Sequence, residues 1–239
     1  MTGPLLPALL TAGVLGVTHA MEPDHVAGIS SLTSDYGDSR LSALAGACFS
    51  VGHVVLVVAW LAVAYVLLGR TSFPAVYGQV GTLGVGVLLG VFGAAMAVGG
   101  LRRVVRSDEH AHDGVTHSHP HVRLPLPGFD GADHGHDTVS YLKTGLVGAL
   151  FTLSPPVSMI VFASTLLPGY GADVVALAVL TYGVTITATM SLLGAGAGAL
   201  FGLAKGRNRT VHGFAQTVAG VAVTGLAATL LVDAAPALL

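Results

Sequence analysis

Charge is scarce in this sequence: Asp, Glu, Lys and Arg make up only 9% of its 239 residues. Soluble domains carry about 25%. Hydrophobic residues make up 53% of the chain, and a chain this apolar cannot cover itself with polar surface, so lipid must form part of its solvent. The shortage of charge therefore excludes a soluble domain. It indicates an all-α membrane protein whose helices each need about 20 apolar residues.

Cysteine and several common motifs are also scarce or absent. Cys48 is the single cysteine, which excludes an internal disulfide and a thiolate metal site. The N-terminal run MTGPLLPALLTAG has no Lys or Arg, so we expect no cleavable signal peptide there. The sequence has no phosphate-binding G-x-x-x-x-G-K-[ST] loop, so any use of ATP would need a partner. The formal net charge of −2 gives no indication of a nucleic-acid partner.

Long apolar runs are what the chain does contain. They predict six transmembrane helices, at about 4–31, 41–69, 78–101, 141–167, 173–203 and 211–233. The polar segment 102–140 holds seven of the eleven histidines together with several prolines and glycines, which predicts a disordered loop. The chain thus divides into transmembrane repeat 1 (1–101), a histidine-rich loop (102–140) and transmembrane repeat 2 (141–239).

The distribution of Lys and Arg predicts the orientation. Nine of the ten lie in the segments after the first, third and fifth predicted spans, and only Arg70 lies on the other side. Cytoplasmic loops carry the excess of positive charge. We therefore expect a multi-pass protein of the cytoplasmic membrane, with both termini outside and the histidine-rich loop in the cytoplasm.

The two halves share short motifs at nearly the same offset. G-x-x-G followed by proline occurs at 13–23 and 145–155, and a related triplet occurs at 50–52 and 181–183. Because each half has three spans, the second half would run inverted in the membrane. A 3+3 inverted repeat with broken helices near the midplane is a transporter architecture. We expect breaks in the first and fourth helices, at Pro23 and at Pro155–Pro156; chance similarity between glycine-rich helices is the alternative.

One stretch of seven residues in the first predicted span contains four ionisable side chains: His19, Glu22, Asp24 and His25. Each carboxylate in a membrane costs about 2.5–3.5 kcal/mol even on insertion scales, which favours a functional site over a structural histidine. On a regular helix His19 and His25 would lie about 9 Å apart along the axis, too far to share one ion. A helix break at Pro23 would bring them together.

His53 is the only ionisable residue deep in the second predicted span, and the first-span cluster favours a site role for it as well. The fifth span adds Tyr182 and several threonines, which are more often bonded to the backbone of their own helix than part of a site. Imidazole with carboxylate suits a borderline divalent metal, because magnesium and calcium prefer oxygen ligands alone. Zinc, nickel and cobalt all remain open.

The loop between the halves repeats the pattern His-x-His, which places two imidazoles on one side of an extended chain. Such tracts commonly bind metal, so we expect a metal collector or sensor here; a polar linker that happens to be rich in histidine is the alternative. The candidate ligands are His110, His112, His117, His119, His121, His134 and His136.

These motifs resemble one known family. HAMEPDH fits the first-helix His-x4-Asp-His signature of the nickel/cobalt transporter (NicO) family and looks like the His-x-x-Glu-Pro-x-His form of its efflux branch. SVGH is similar to the family's second histidine segment. FTLSPPVSMIVFASTLL resembles the fourth-span proline segment of the efflux branch, although no cysteine separates the two prolines here. The resemblance implies that His19, Asp24, His25 and His53 form the metal pathway. We also expect Glu22 beside this site, as a hydrogen-bonding partner or proton acceptor.

We therefore expect a secondary transporter and not an enzyme, with Ni²⁺ or Co²⁺ as the transported ion and no catalytic cofactor. Zn²⁺ also suits the ligands. Efflux is slightly favoured over uptake, because the uptake branch usually has eight spans. The expected partners are the divalent ion and membrane lipid, with no nucleic acid, and a homo-oligomer stays open. An intramembrane zinc-dependent hydrolase is the alternative, although the cluster lacks His-Glu-x-x-His spacing; a metal-binding scaffold that transports nothing is a third.

Overall fold

The computed structural model describes residues 5–67, 75–105, 146–147, 150 and 156–234 of the chain. Within these ranges all regular structure is helical, which confirms the predicted all-α class for the part of the chain that is described. The seven loop histidines and Pro155 lie outside these ranges. The predictions made for them therefore stay predictions, as does the division into two repeats.

In the described ranges six helices follow one another: α1 (Leu5–Ala20), α2 (Pro23–Thr33), α3 (Ser39–Ala62, continued by a π-helical turn, Val63–Leu67), α4 (Ala75–Val105), α5 (Val157–Arg207) and α6 (Arg209–Ala234). By length and composition, four of them can each cross a membrane: α3 with its π-helical turn, α4, α5 and α6. α1 and α2 are long enough only together, as one span bent by 57°. Counting this pair gives up to five spans in the described residues. The described structure thus supports a multi-pass membrane protein.

The fifth helix contains an internal break. Gly171 has φ 78° and ψ 175°, and Pro168 lies three residues before it. A positive φ of this kind is accessible to glycine at no steric cost, because glycine has no Cβ. The break falls between the spans predicted at 141–167 and 173–203, so the chain leaves helical geometry where the sequence predicted a connection.

The bend between α1 and α2 has its origin in Pro23. Pro23 has no N–H to donate to the carbonyl of His19, and it restricts Glu22 to an extended conformation, with φ −59° and ψ 141°. The carbonyl of His19 accepts instead from the N–H of Glu22, at 3.1 Å. α2 then restarts with proline in its first turn, where a missing N–H costs nothing. The break predicted at this proline is therefore present, and the carbonyl freed by it is satisfied locally.

α2 is the central element of the bundle. It contacts α3, α4, α5 and α6, while α5 packs along α1 and α3, and α4 packs along α6. Glycines make the close helix contacts: Gly46 of α3 lies against the Met190 carbonyl of α5, and Gly93 of α4 lies against Gly220 and Thr224 of α6. Small residues allow this approach, which is how helices associate in lipid. The N-terminus of α2 lies against the end of α1 and against α3, where His25 meets His19, Phe49 and His53.

A polar network fastens the other end of α2. The carboxylate of Asp35 accepts hydrogen bonds from Arg103 of α4 at 2.9 Å and from the buried Gln216 of α6 at 2.8 Å. Gln216 also donates to the carbonyl of Ser34 at 3.3 Å and accepts from Arg103. Burial opposes ionisation of Asp35, but these bonds hold the pKa of its carboxyl below the usual value. The network therefore anchors the C-terminal end of α2 on α4 and α6.

Candidate metal site

Three histidines from three helices meet at the break between α1 and α2. His19 lies in the last turn of α1, His25 in the first turn of α2 and His53 in the middle of α3. One ring nitrogen of each lies within 4.8 Å of the others. Nε2 of His19 and Nε2 of His53 lie 3.1 Å apart. The ring centroids of His19 and His25 are 4.7 Å apart, because the bend replaces the spacing of a regular helix.

The three imidazoles are withdrawn from the surface. His25 is 2% exposed and His53 is 1% exposed, while the side chain of His19 is 15% exposed. His25 also meets the edge of Phe49, with ring centroids 6.3 Å apart. Buried polar rings of this kind are costly unless they are paired or bind an ion. Their convergence makes a set of nitrogen donors of the type that divalent transition metals take.

Two carboxylates flank the histidine group. Oδ1 of Asp24 lies 3.0 Å from Nδ1 of His25 and also accepts the backbone N–H of that residue at 2.9 Å. Oε1 of Glu22 lies 2.9 Å from Nδ1 of His19. Because an ionised carboxylate only accepts, each Nδ1 carries the proton. A neutral ring then presents the lone pair of Nε2, the arrangement in which a carboxylate orients a metal-binding histidine.

A second candidate group overlaps the first. Glu22, Asp24 and His25 each offer a ligand atom, and these atoms also lie within 4.8 Å of one another. The carboxylates are the more accessible members: Glu22 is 50% exposed and Asp24 is 24% exposed. His25 belongs to both groups. The site therefore runs from exposed oxygen donors to buried nitrogen donors across one shared histidine.

The sequence predicted five residues for the site, and the structure brings all five together at the α1–α2 break. His19, His25 and His53 face one another. Asp24 and Glu22 form the flanking pair, so Asp24 contacts His25 and does not complete the histidine group itself. Pro23 opens α2, and Pro156, with ψ 77°, directly precedes α5. Binding of metal by these residues stays a prediction.

Sequence reasoning gave too little weight to the neighbouring face of α5. Its threonines do bond to carbonyls of their own helix, as expected: Thr181 to Leu177 and Thr185 to Thr181. Tyr182 does not follow that pattern. Its ring lies 6.1 Å from that of His19, centroid to centroid. The sequence did offer a signal: Tyr182 belongs to the triplet 181–183, which matches the triplet 50–52, and that second triplet directly precedes His53.

Comparison with known proteins agrees with this chemistry. Residues 6–136, more than half of the chain, match the family described as "High-affinity nickel-transport protein" (NicO). The chain is also similar to a urease accessory protein, UreH, of Bacillus sp. (strain TB-90), with 24% identity over 156 residues. That match covers 65% of this chain and 61% of the relative, so the chain spans less than two thirds of the relative's length. No solved structure matches the chain. Neither match supports the alternative of a zinc-dependent hydrolase.

Proposed function

The chain belongs to the NicO family of high-affinity nickel-transport proteins, and we propose that it is a secondary transporter that carries Ni²⁺ across the cytoplasmic membrane. One observation carries the proposal: three histidines from separate helices place their ligand nitrogens within 4.8 Å of one another at a helix break. Co²⁺ accepts the same nitrogen and oxygen donors, and so does Zn²⁺. The cation is the transported substrate and not a catalytic cofactor.

In this proposal Nε2 of His19, His25 and His53 bind the cation directly. Asp24 and Glu22 hold the imidazoles of His25 and His19 through their Nδ1 protons. The carboxylates also balance charge, since three neutral imidazoles leave the two positive charges of the ion uncompensated. An uncompensated divalent charge in a low-dielectric bundle is very unfavourable. Two ionised carboxylates beside the histidines supply the compensating charge.

The overlap of the two groups suggests an order of binding. A cation that arrives from water first meets Glu22 and Asp24, the exposed members, and then passes to the buried histidines through His25. A half-exposed carboxylate in a membrane chain is expected to face a water-filled cavity. Because His25 belongs to both groups, an ion need not lose all its ligands at once. A stepwise exchange of ligands is the feature that separates a transport pathway from a storage site.

The proposed topology has six spans in a 3+3 inverted repeat. The bent α1–α2 pair forms the first span, α3 and α4 form the second and third, and α6 forms the last. The break at Gly171 divides α5 into the fourth and fifth. Both termini lie outside and the histidine-rich loop lies in the cytoplasm, on the side where Lys and Arg accumulate. The site then lies near the midplane, at the break of the first span.

We propose efflux as the direction, with protons as the exchanged ion. Moving two positive charges outward against an inside-negative potential of 100 mV costs about 4–5 kcal/mol, so export needs a coupled gradient. Histidine and glutamate can release protons as the metal binds, since imidazole must be neutral to act as a ligand. The seven histidines of the cytoplasmic loop would collect the ion on the side from which it leaves.

The test is transport of radiolabelled Ni²⁺ into oriented proteoliposomes by counterflow, with and without a pH gradient. Wild-type protein should exchange labelled for unlabelled Ni²⁺, and His25→Ala should abolish the exchange. Thr181→Ala is the matched control, because its hydroxyl bonds only to the Leu177 carbonyl of its own helix, and it should retain wild-type exchange. Equal exchange in wild-type and His25→Ala vesicles would refute the proposal.

A further inference from the structure

Tyr182 is the largest side chain that is completely buried in the described part of the chain, at 1% exposure. Its ring lies 6.1 Å from that of His19, centroid to centroid. That hydroxyl makes no hydrogen bond with any described residue. A buried hydroxyl nearly always has a partner, because an unmade hydrogen bond destabilises the fold. The phenol beside the histidine group therefore has an unused donor.

Another tyrosine of the same bundle has a hydrogen-bond partner for its hydroxyl. Tyr65, on the π-helical turn after α3, donates its hydroxyl to the carbonyl of Ile160 at 3.0 Å. Thr185, about one turn further along α5, also has carbonyl partners in its own helix. Tyr182 differs from both, because its hydroxyl bonds neither to a carbonyl nor to a side chain of the described residues.

We propose that Tyr182 is a positioning residue for the transported cation, and that its hydroxyl donates a hydrogen bond to a water molecule that the cation keeps while the three histidines hold it. This inference rests on the proposed function. Three imidazoles leave coordination positions open, because the square-planar and tetragonal geometries of Ni²⁺ need at least four ligands. A buried water in such a position needs polar protein partners. The Tyr182 hydroxyl supplies one such polar partner, from the second half of the chain.

The test compares Tyr182→Phe with Tyr65→Phe in the full chain, with the seven loop histidines replaced by Asn in both so that the loop does not bind the probe. Three quantities are measured: the Ni²⁺ dissociation constant by equilibrium dialysis, the visible absorption of bound Ni²⁺, and the unfolding midpoint without metal. Both substitutions keep the ring and remove only an oxygen. They differ in whether the lost hydroxyl had a protein partner.

Tyr182→Phe should raise the dissociation constant about tenfold, the lower end of what loss of an outer hydrogen-bonding partner costs a metal site. Its absorption bands should shift at saturating Ni²⁺, and its metal-free midpoint should be unchanged or higher, because the variant loses an unsatisfied buried group. Tyr65→Phe should show the opposite pattern, with unchanged affinity and a lower midpoint. A purely structural role for Tyr182 would lower the midpoint and leave the spectrum alone.

Unchanged affinity and spectrum in Tyr182→Phe would overturn the inference. A His25→Ala protein measured alongside separates this failure from failure of the proposed site. If His25→Ala loses Ni²⁺ binding while Tyr182→Phe keeps it in full, the histidine site stands and the phenol has no part in it. If His25→Ala also binds as wild type, the site itself is misplaced.

Discussion

Asp24→Asn isolates the electrostatic part of the proposed site. The change keeps the size of the side chain, and the amide oxygen can still accept from the N–H and Nδ1–H of His25, which Asp24 bonds at 2.9 and 3.0 Å. What is lost is one negative charge beside the cation. The ligand atoms of the group that contains Asp24 lie within 4.8 Å of one another. A divalent ion held about 5 Å from one carboxylate interacts with it by about 2 kcal/mol in bulk water and about 7 kcal/mol at an effective dielectric of 20.

Asp24 is 24% exposed, so water screens its charge. We therefore base the expected change in Ni²⁺ affinity on the smaller of these two energies. We expect the Ni²⁺ dissociation constant of Asp24→Asn to rise at least tenfold, and up to about a hundredfold, the range found when outer partners of metal ligands are removed. The assay is Ni²⁺ titration of the purified protein at pH 7.5, with the loop histidines replaced. The electrostatic account predicts a larger effect in low salt than in high salt.

Asp38→Asn is the matched control for this experiment. Asp38 also accepts two hydrogen bonds, from the N–H groups of Arg40 and Leu41 at the start of α3. Asn serves nearly as well as Asp at such a position. The control should therefore bind Ni²⁺ as wild type does and unfold at nearly the same temperature. Equal, small effects of the two substitutions on Ni²⁺ affinity would refute the claim that Asp24 acts on the cation.

Three further predictions concern proton exchange, the loop and the anchor of α2. Glu22→Gln should slow Ni²⁺ transport in vesicles more than it weakens equilibrium binding, because the amide cannot take up and return a proton during the transport cycle; equal losses in both assays would contradict this. Replacing all seven loop histidines by Asn should lower the number of ions bound per chain and leave transport at saturating Ni²⁺ measurable; complete loss of transport, with normal insertion, would show that the loop is part of the pathway. The folded pKa of Asp35 is lowered, so its stabilising effect is complete above the unfolded value, near 3.8 to 3.9. The effect fades as pH falls through the lower folded value. The difference in unfolding midpoint between wild type and Asp35→Asn should thus be constant above about pH 5 and shrink in more acidic buffer, and a constant difference at all pH values would contradict this.

The break in the first span could be predicted from sequence because its cause is local. Proline lacks an N–H and restricts the residue before it, whatever the rest of the fold does. The convergence of His19 with His25 follows from that break alone. The connection after 167 was also predictable, since Pro168 and Gly171 interrupt the apolar run.

The roles of the two carboxylates could not be predicted, because they depend on side-chain directions after the bend. Asp24 and Glu22 are close in sequence to both histidines, and spacing alone does not show which oxygen meets which ring. The structure pairs Asp24 with His25 and Glu22 with His19. The sequence therefore grouped five residues that the structure also brings together, while their arrangement into histidine donors and flanking carboxylates depends on the bend and could not be predicted.

Long-range contacts were the least predictable feature. Nothing near Gln216 in the sequence indicates that it bonds Asp35, which lies 181 residues away, nor does the sequence bring Tyr182 to His19. The first contact depends on how α6 packs beside the end of α2, and the second on how α5 packs along α1, where Gly16 lies against the Tyr182 carbonyl. A hydropathy pattern does not carry that information.

The most direct test of the account is equilibrium binding of Ni²⁺ to four proteins: wild type, His19→Ala, His25→Ala and His53→Ala. All carry Asn at the loop positions, and Thr181→Ala serves as the control. The account predicts one tightly bound ion per chain in wild type and control, and a loss of affinity of at least a hundredfold in each histidine variant, because each removes one direct ligand. It also predicts that wild-type affinity falls in acidic buffer, because imidazole must be neutral to bind the ion. Unchanged Ni²⁺ affinity in both His19→Ala and His25→Ala would contradict the proposed site.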